Sequence, residues 1–72
     1  MDQEKIGKFI KKLRKDNNLT QDELAKKLGV TYQAVSKWEN GKSIPDIAVL
    51  KTISELFEVN IDELLEGSVK DN

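Results

Sequence analysis

Two glycines twelve residues apart, Gly29 and Gly41, each close a short stretch that opens on a threonine. That grammar leaves the chain from Thr20 to Gly41 little choice of fold. Thr20 is followed three residues later by Glu23, so its hydroxyl can take the Glu23 amide while the carboxylate returns to the Thr20 amide, a capping box. Leu19 and Leu24 flank the cap where a hydrophobic staple closes, and Leu24, Ala25 and Leu28 continue an apolar stripe at helical spacing. The pattern predicts a helix over Gln21–Leu28. Gly29 then stands where the chain turns left-handed, which costs other L-residues about 1 kcal/mol or more.

The second stretch repeats the signals. Thr31 offers a cap, Val30 and Val35 can staple across it, and Gly41 terminates after Asn40, giving a helix from Tyr32 to Asn40. At about 100° per residue, Ala34, Val35 and Trp38 gather on one side and Tyr32, Gln33, Ser36 and Lys37 on the other. The apolar side must face protein. Trp38 goes with Val35, so its angular position favours the core over any reading role. The opposite side carries an amide, a phenol, a hydroxyl and a cation, the groups that a base edge or a phosphate can bond. Two short helices about a tight turn, the second with an exposed polar face, have the layout of a major-groove reader.

In these residues the chain resembles the lambda-repressor-like helix-turn-helix family, which includes phage repressors, Cro proteins and Xre-type bacterial regulators. The likeness covers roughly Ile6 to Leu65: TQDELAKKLGV from Thr20, WENGK from Trp38, Leu13-Arg14 upstream, and Pro45-Asp46 and Ile61-Asp62-Glu63-Leu64-Leu65 downstream. It implies an all-α, compact five-helix bundle. It also implies base contacts from Tyr32, Gln33, Ser36 and Lys37, and phosphate contacts from Gln21, Thr31, Asn40, Lys42 and Ser43. Arg14 and Glu39 match a pair that ties the first helix to the recognition helix in many members; the bland alternative is two surface charges. Tyr32 is bulkier than the small or amide residues common at its position, so its contact is expected to be apolar, with a thymine methyl.

The remaining segments read as support. Ile6, Phe9, Ile10 and Leu13 fall at i, i+3, i+4 and i+7, predicting a first helix from about Gln3 to Lys15 that ends at Asn17-Asn18. Pro45 and Asp46 predict a fourth helix from Ile47 to Phe57, with Ile47, Leu50, Ile53, Leu56 and Phe57 on its buried side. Asn60 with Glu63 repeats the capping box, Val59 and Leu64 can staple it, and Gly67 ends a short fifth helix. Residues 1–67 are therefore expected to form one domain, and 68–72 a flexible tail.

Composition narrows the chemistry. A chain of 72 residues has no cysteine and no histidine, which removes disulfides, thiolate nucleophiles and the usual zinc ligands together. We expect no enzyme activity, metal or cofactor. No apolar run reaches the roughly 18 residues of a membrane span, and MDQEKIGKF is not a signal peptide. The net charge of −1 looks unsuited to DNA until the chain is divided after Ser43, with ten basic against six acidic residues before and two against seven after. The parts carry +4 and −5. Lys5, Lys8, Lys11, Lys12 and Lys15 fit a solvated helix face as well as a phosphate-binding one.

Three apparent motifs dissolve on inspection. Gly41-Lys42-Ser43 mimics the end of a P-loop, but the pattern's first glycine would fall on Ser36. Asn18-Leu19-Thr20 is a glycosylation sequon without a secretion signal. Asp62, Glu63 and Glu66 lack the spacing and glycine of a calcium loop.

The expectation is a sequence-specific DNA-binding transcriptional regulator, a repressor acting by occupancy at a double-stranded operator in a bacterial or phage cytoplasm. A homodimer would read two half-sites, with Ile44, Val59, Ile61, Leu65 and Val69 as interface candidates; core packing is the stronger reading for Val59, Ile61 and Leu65. No membrane contact or small-molecule ligand is expected. Numbering from Met1 to just past the fifth helix also suits the reading head of a longer protein. The competing reading is a protein-interaction module, antitoxin-like or adaptor, that keeps the fold and docks a protein through its acidic carboxy-terminal half.

Overall fold

Asp2 opens the first helix: its carboxylate accepts from the amides of Glu4 and Lys5 at 3.0 and 3.1 Å. The computed structural model describes residues 2–69, and runs in the order α1 (Gln3–Asp16), α2 (Gln21–Leu28), α3 (Tyr32–Glu39), α4 (Ile47–Phe57) and α5 (Ile61–Glu66). Among the described residues there is no strand. The extents are 33 × 22 × 21 Å.

Each boundary has a local cause. Asn18, at φ +57°, turns the chain out of α1 one residue later than the apolar stripe alone indicates. The Thr20–Glu23 box is closed in both directions at 2.9 and 3.0 Å, and Gly29 at φ +71° stops α2. Thr31 accepts the Ala34 amide at 3.2 Å to start α3. That helix ends at Glu39; Asn40, expected as its last residue, is its C-cap, because Gly41 at φ +71° already turns the next peptide. Asp46 caps α4 and Asn60 opens the reciprocal box of α5.

The core gathers Ile6, Phe9 and Ile10 of α1, Leu24 and Ala25 of α2, Val35 and Trp38 of α3, Leu50 and Ile53 of α4, and Leu64 of α5. Every helix contributes, so no helix can leave without opening the interior. Two expected core positions are corrected. Ile47 is 68% and Leu56 38% exposed. The buried stripe of α4 centres between Leu50 and Ile53, and at about 100° per residue these two side chains fall on its opposite flanks. Phe57 is half-buried against the core, as are Ile44, Val59 and Leu65 among the interface candidates.

The close approach of α1 and α3 explains Gly7. A methyl group there would lie 1.9 Å from the Trp38 carbonyl oxygen, so only hydrogen lets the two backbones meet. Of the expected tail, Ser68 donates its amide to the Glu63 carbonyl at 3.1 Å and Val69 is exposed. Residues 70–72 lie outside the described residues.

Candidate nucleic-acid interface

α3 presents two chemically different sides, as its sequence pattern requires. Val35 is fully buried and Trp38 is 5% exposed, while Gln33 and Lys37 are exposed and Tyr32 keeps 51% of its surface open. Ser36 is half-buried, and its hydroxyl oxygen accepts from Asn40 Nδ2 at 3.3 Å. This bond braces Asn40 where the helix ends. Lys42 is exposed and Ser43 half-buried just beyond the turn. Thr31 is exposed, its oxygen committed to the α3 cap. The structure thus places Tyr32, Gln33 and Lys37 on one open helix face, with Thr31 and Asn40 at its two ends.

At the carboxy end of α3 lies a buried ionic cluster. Arg14 donates from Nε to Glu39 Oε2 at 2.7 Å and from Nη2 to Oε1 at 2.9 Å. The fork is bidentate, and the two side chains are 10% and 2% exposed. Its geometry fixes orientation as well as distance. The hydrogen bonds to Glu39 raise the Arg14 pKa above its ordinary value, against the opposing effect of burial. Arg14 also donates from Nη1 to the Leu19 carbonyl at 2.7 Å. One guanidinium therefore holds the last residue of α3 and the segment entering α2 together.

Gln21, expected on a phosphate, is half-buried at the start of α2 and donates from Nε2 to Glu39 Oε1 at 3.1 Å. This tie was not visible in the sequence. Its residues stand 18 apart and neither belongs to the other's helix, so no periodicity links them. At the same end of α2, the Thr20 amide and hydroxyl bonded to Glu23 hold that carboxyl below the usual carboxylate range.

The five α1 lysines are all exposed. Lys12 pairs with Asp16 and, on α2, Lys26 pairs with Asp22, both one helical turn apart and open to water. Exposed pairs of this kind contribute little to stability. Among the described residues no group of acidic side chains is arranged to hold a metal, and no helix is long and apolar enough to cross a membrane.

Residues 10–64 match the helix-turn-helix family over most of the chain. The chain belongs to that family. The Enterococcus faecalis transcriptional activator BcrR is 52% identical over 58 residues, 81% of this chain and 28% of its own. The cryptic phage CTXphi transcriptional repressor RstR of Vibrio cholerae is 33% identical over 60 residues, 83% of this chain and 54% of that protein. Among solved structures, an HTH_3 family transcriptional regulator from Vibrio cholerae superposes with a TM-score of 0.76 at 30% identity, covering 92% of this chain and 37% of the other. The chain thus spans about a quarter to a half of these relatives' lengths.

Proposed function

We propose that this helix-turn-helix domain binds duplex DNA and reads its sequence through α3, acting in transcription regulation by occupying its site rather than by catalysis. The observation that carries this reading is the division of α3: Val35 and Trp38 anchor it, leaving Tyr32, Gln33 and Lys37 open. A helix fits the major groove, about 12 Å wide, where all four base pairs differ in their donor and acceptor patterns. Gln33 supplies both an amide donor and an acceptor for adenine, Lys37 suits guanine, and Tyr32 offers its ring to a thymine methyl. Lys42, Ser43, Thr31, Asn40 and the outer part of Gln21 take phosphates. These contacts set register and carry no sequence information.

One such domain reads a few base pairs. A homodimer restores specificity by reading two half-sites about 34 to 36 Å apart. Half-buried Ile61 and exposed Val69 are the interface candidates not packed against the core. Relatives that bear this domain include both an activator and a repressor. We read this protein as a repressor, since bound protein needs only to obstruct, working at the nucleoid of a bacterial or phage-infected cell.

The test compares two variants by fluorescence anisotropy on a selected operator and on random duplex. Gln33→Ala is expected to weaken operator binding by about 1 to 3 kcal/mol and leave random-sequence binding nearly intact, whereas Lys42→Ala weakens both alike. Identical behaviour of the two variants refutes the division between reading and gripping residues. Phosphate binding also falls with salt, with a slope near −0.9 per phosphate neutralised. Absence of binding to either duplex at low salt favours the protein-interaction reading instead.

A further inference from the structure

Glu39 is the last residue of α3, and its carboxylate collects donors from two other helices. Arg14 of α1 takes both oxygens, and Gln21 of α2 adds a third hydrogen bond, to Oε1. No buried side-chain nitrogen or oxygen among the described residues is left without a partner. The start of α2 is thereby held twice: by the Leu19 carbonyl on Arg14 at 2.7 Å, and by the Gln21 amide on Glu39 at 3.1 Å. We infer that Gln21 is a positioning residue for DNA reading, fixing α2 against α3 through Glu39 so that backbone contacts at one helix and base contacts at the other fall in register.

The geometry of an amide gives this its force. A carboxamide is planar, so committing one N–H to a carboxylate orients the remaining N–H and the carbonyl as well. A bond to an ionised acceptor is roughly twice as strong as a neutral one, and this acceptor is itself clamped by a bidentate arginine. Gln21 is half-buried and its bond to Glu39 part-buried, so the tie is partly shielded from water. A small rotation between α2 and α3 would shift base-reading atoms relative to phosphate-gripping ones, and discrimination between sequences depends on that offset. Non-specific binding tolerates it, because every phosphate is alike.

This inference rests on the DNA-binding reading, and the experiment separates the two. The chain and its Gln21→Met and Gln21→Lys variants are titrated against the selected operator and a random duplex. Methionine keeps length and helix propensity but cannot donate; lysine restores a donor toward Glu39. The expected result for Gln21→Met is a loss of about tenfold in the operator-to-random ratio, on top of whatever loss common to both duplexes follows from its phosphate contact. Gln21→Lys keeps the ratio near that of the unmodified chain. Equal loss on both duplexes in Gln21→Met, or no loss on either, overturns the positioning role and leaves DNA binding standing. Unmodified chain that binds neither duplex sinks both. Far-UV circular dichroism checks folding, and Gln21→Ala supplies the same comparison should the methionine variant fail to fold.

Discussion

Replacing Gly7 with alanine sets two known effects against each other. Alanine is the better helix former by about 1 kcal/mol, and on that ground alone α1 should gain stability. The added methyl, however, would meet the Trp38 carbonyl oxygen at 1.9 Å and its carbon at 3.0 Å, and both are backbone atoms that cannot rotate aside. α1 and α3 must part by about 1 Å, in an interior packed as densely as an organic crystal. Such overpacking costs about 1 to 3 kcal/mol, and the rigid obstacle places this case at the upper end. The same carbonyl accepts the Gly41 amide at 3.0 Å, so its displacement also loosens the end of α3. The net expectation is a destabilisation of about 2 kcal/mol, or roughly 10 °C in Tm for a domain of this size. Urea unfolding followed by tryptophan fluorescence measures it as a lower midpoint at unchanged slope. Lys11→Gly, at an exposed site in the same helix, calibrates the propensity effect. A Gly7→Ala chain as stable as the parent, or more so, would show that the helices separate freely and refute the reasoning.

Three further outcomes follow from the same geometry. Trp38→Ala should cost about 3 to 5 kcal/mol, enough to leave a small domain largely unfolded by circular dichroism at 25 °C. Glu39→Gln leaves the buried Arg14 charge without its ionised partner and should cost about 3 to 5 kcal/mol by urea titration, while a double Arg14→Met, Glu39→Met chain recovers most of that loss. Because hydrogen bonds from Thr20 depress the Glu23 pKa, their stabilisation is complete above the unfolded-state value and fades as pH falls through the lower folded-state value. The Tm difference between the parent and Glu23→Gln should therefore shrink as pH drops below about 4; a difference that stays constant to pH 2 would contradict it.

Helix limits were legible to within about a residue from the caps and the apolar stripes, Gly41 ending α3 one residue before the expected Asn40. α2 and α4 run as the sequence pattern predicts, because Thr20 and Asp46 open them and the apolar stripe fixes their length. Glu58 shows the limit of that grammar. It turns at φ +55° with no glycine to mark it, and the Val59 amide reaches the Ser54 carbonyl at 3.1 Å to finish the turn. Ile47 and Leu56 were misplaced for a related reason: an apolar residue on a helix states a preference for burial, but the width of the covered stripe depends on which neighbours arrive. The outward face of α3 was readable because periodicity sorts residues within one helix. The Gln21–Glu39 bond was not, because it depends on how two helices cross.

The same distinction governs the charge. The whole-chain value of −1 argues against a polyanion partner, yet the excess of acid resides after Ser43, largely on α4 and α5 and the turn between them. α3 packs chiefly on α1 and α2, both drawn from the basic part of the chain. Of the charges on α3 itself, Glu39 is taken by Arg14, which leaves Lys37 as the exposed one. Solution ions screen exposed charges beyond about 8 Å, so an acidic group two helices away acts weakly on a phosphate held at α3. What duplex DNA would meet is the local surface of α3 and its flanks, where Arg14 has taken up the Glu39 carboxylate and Glu4, exposed beside Gly41, is the acid that remains at that end.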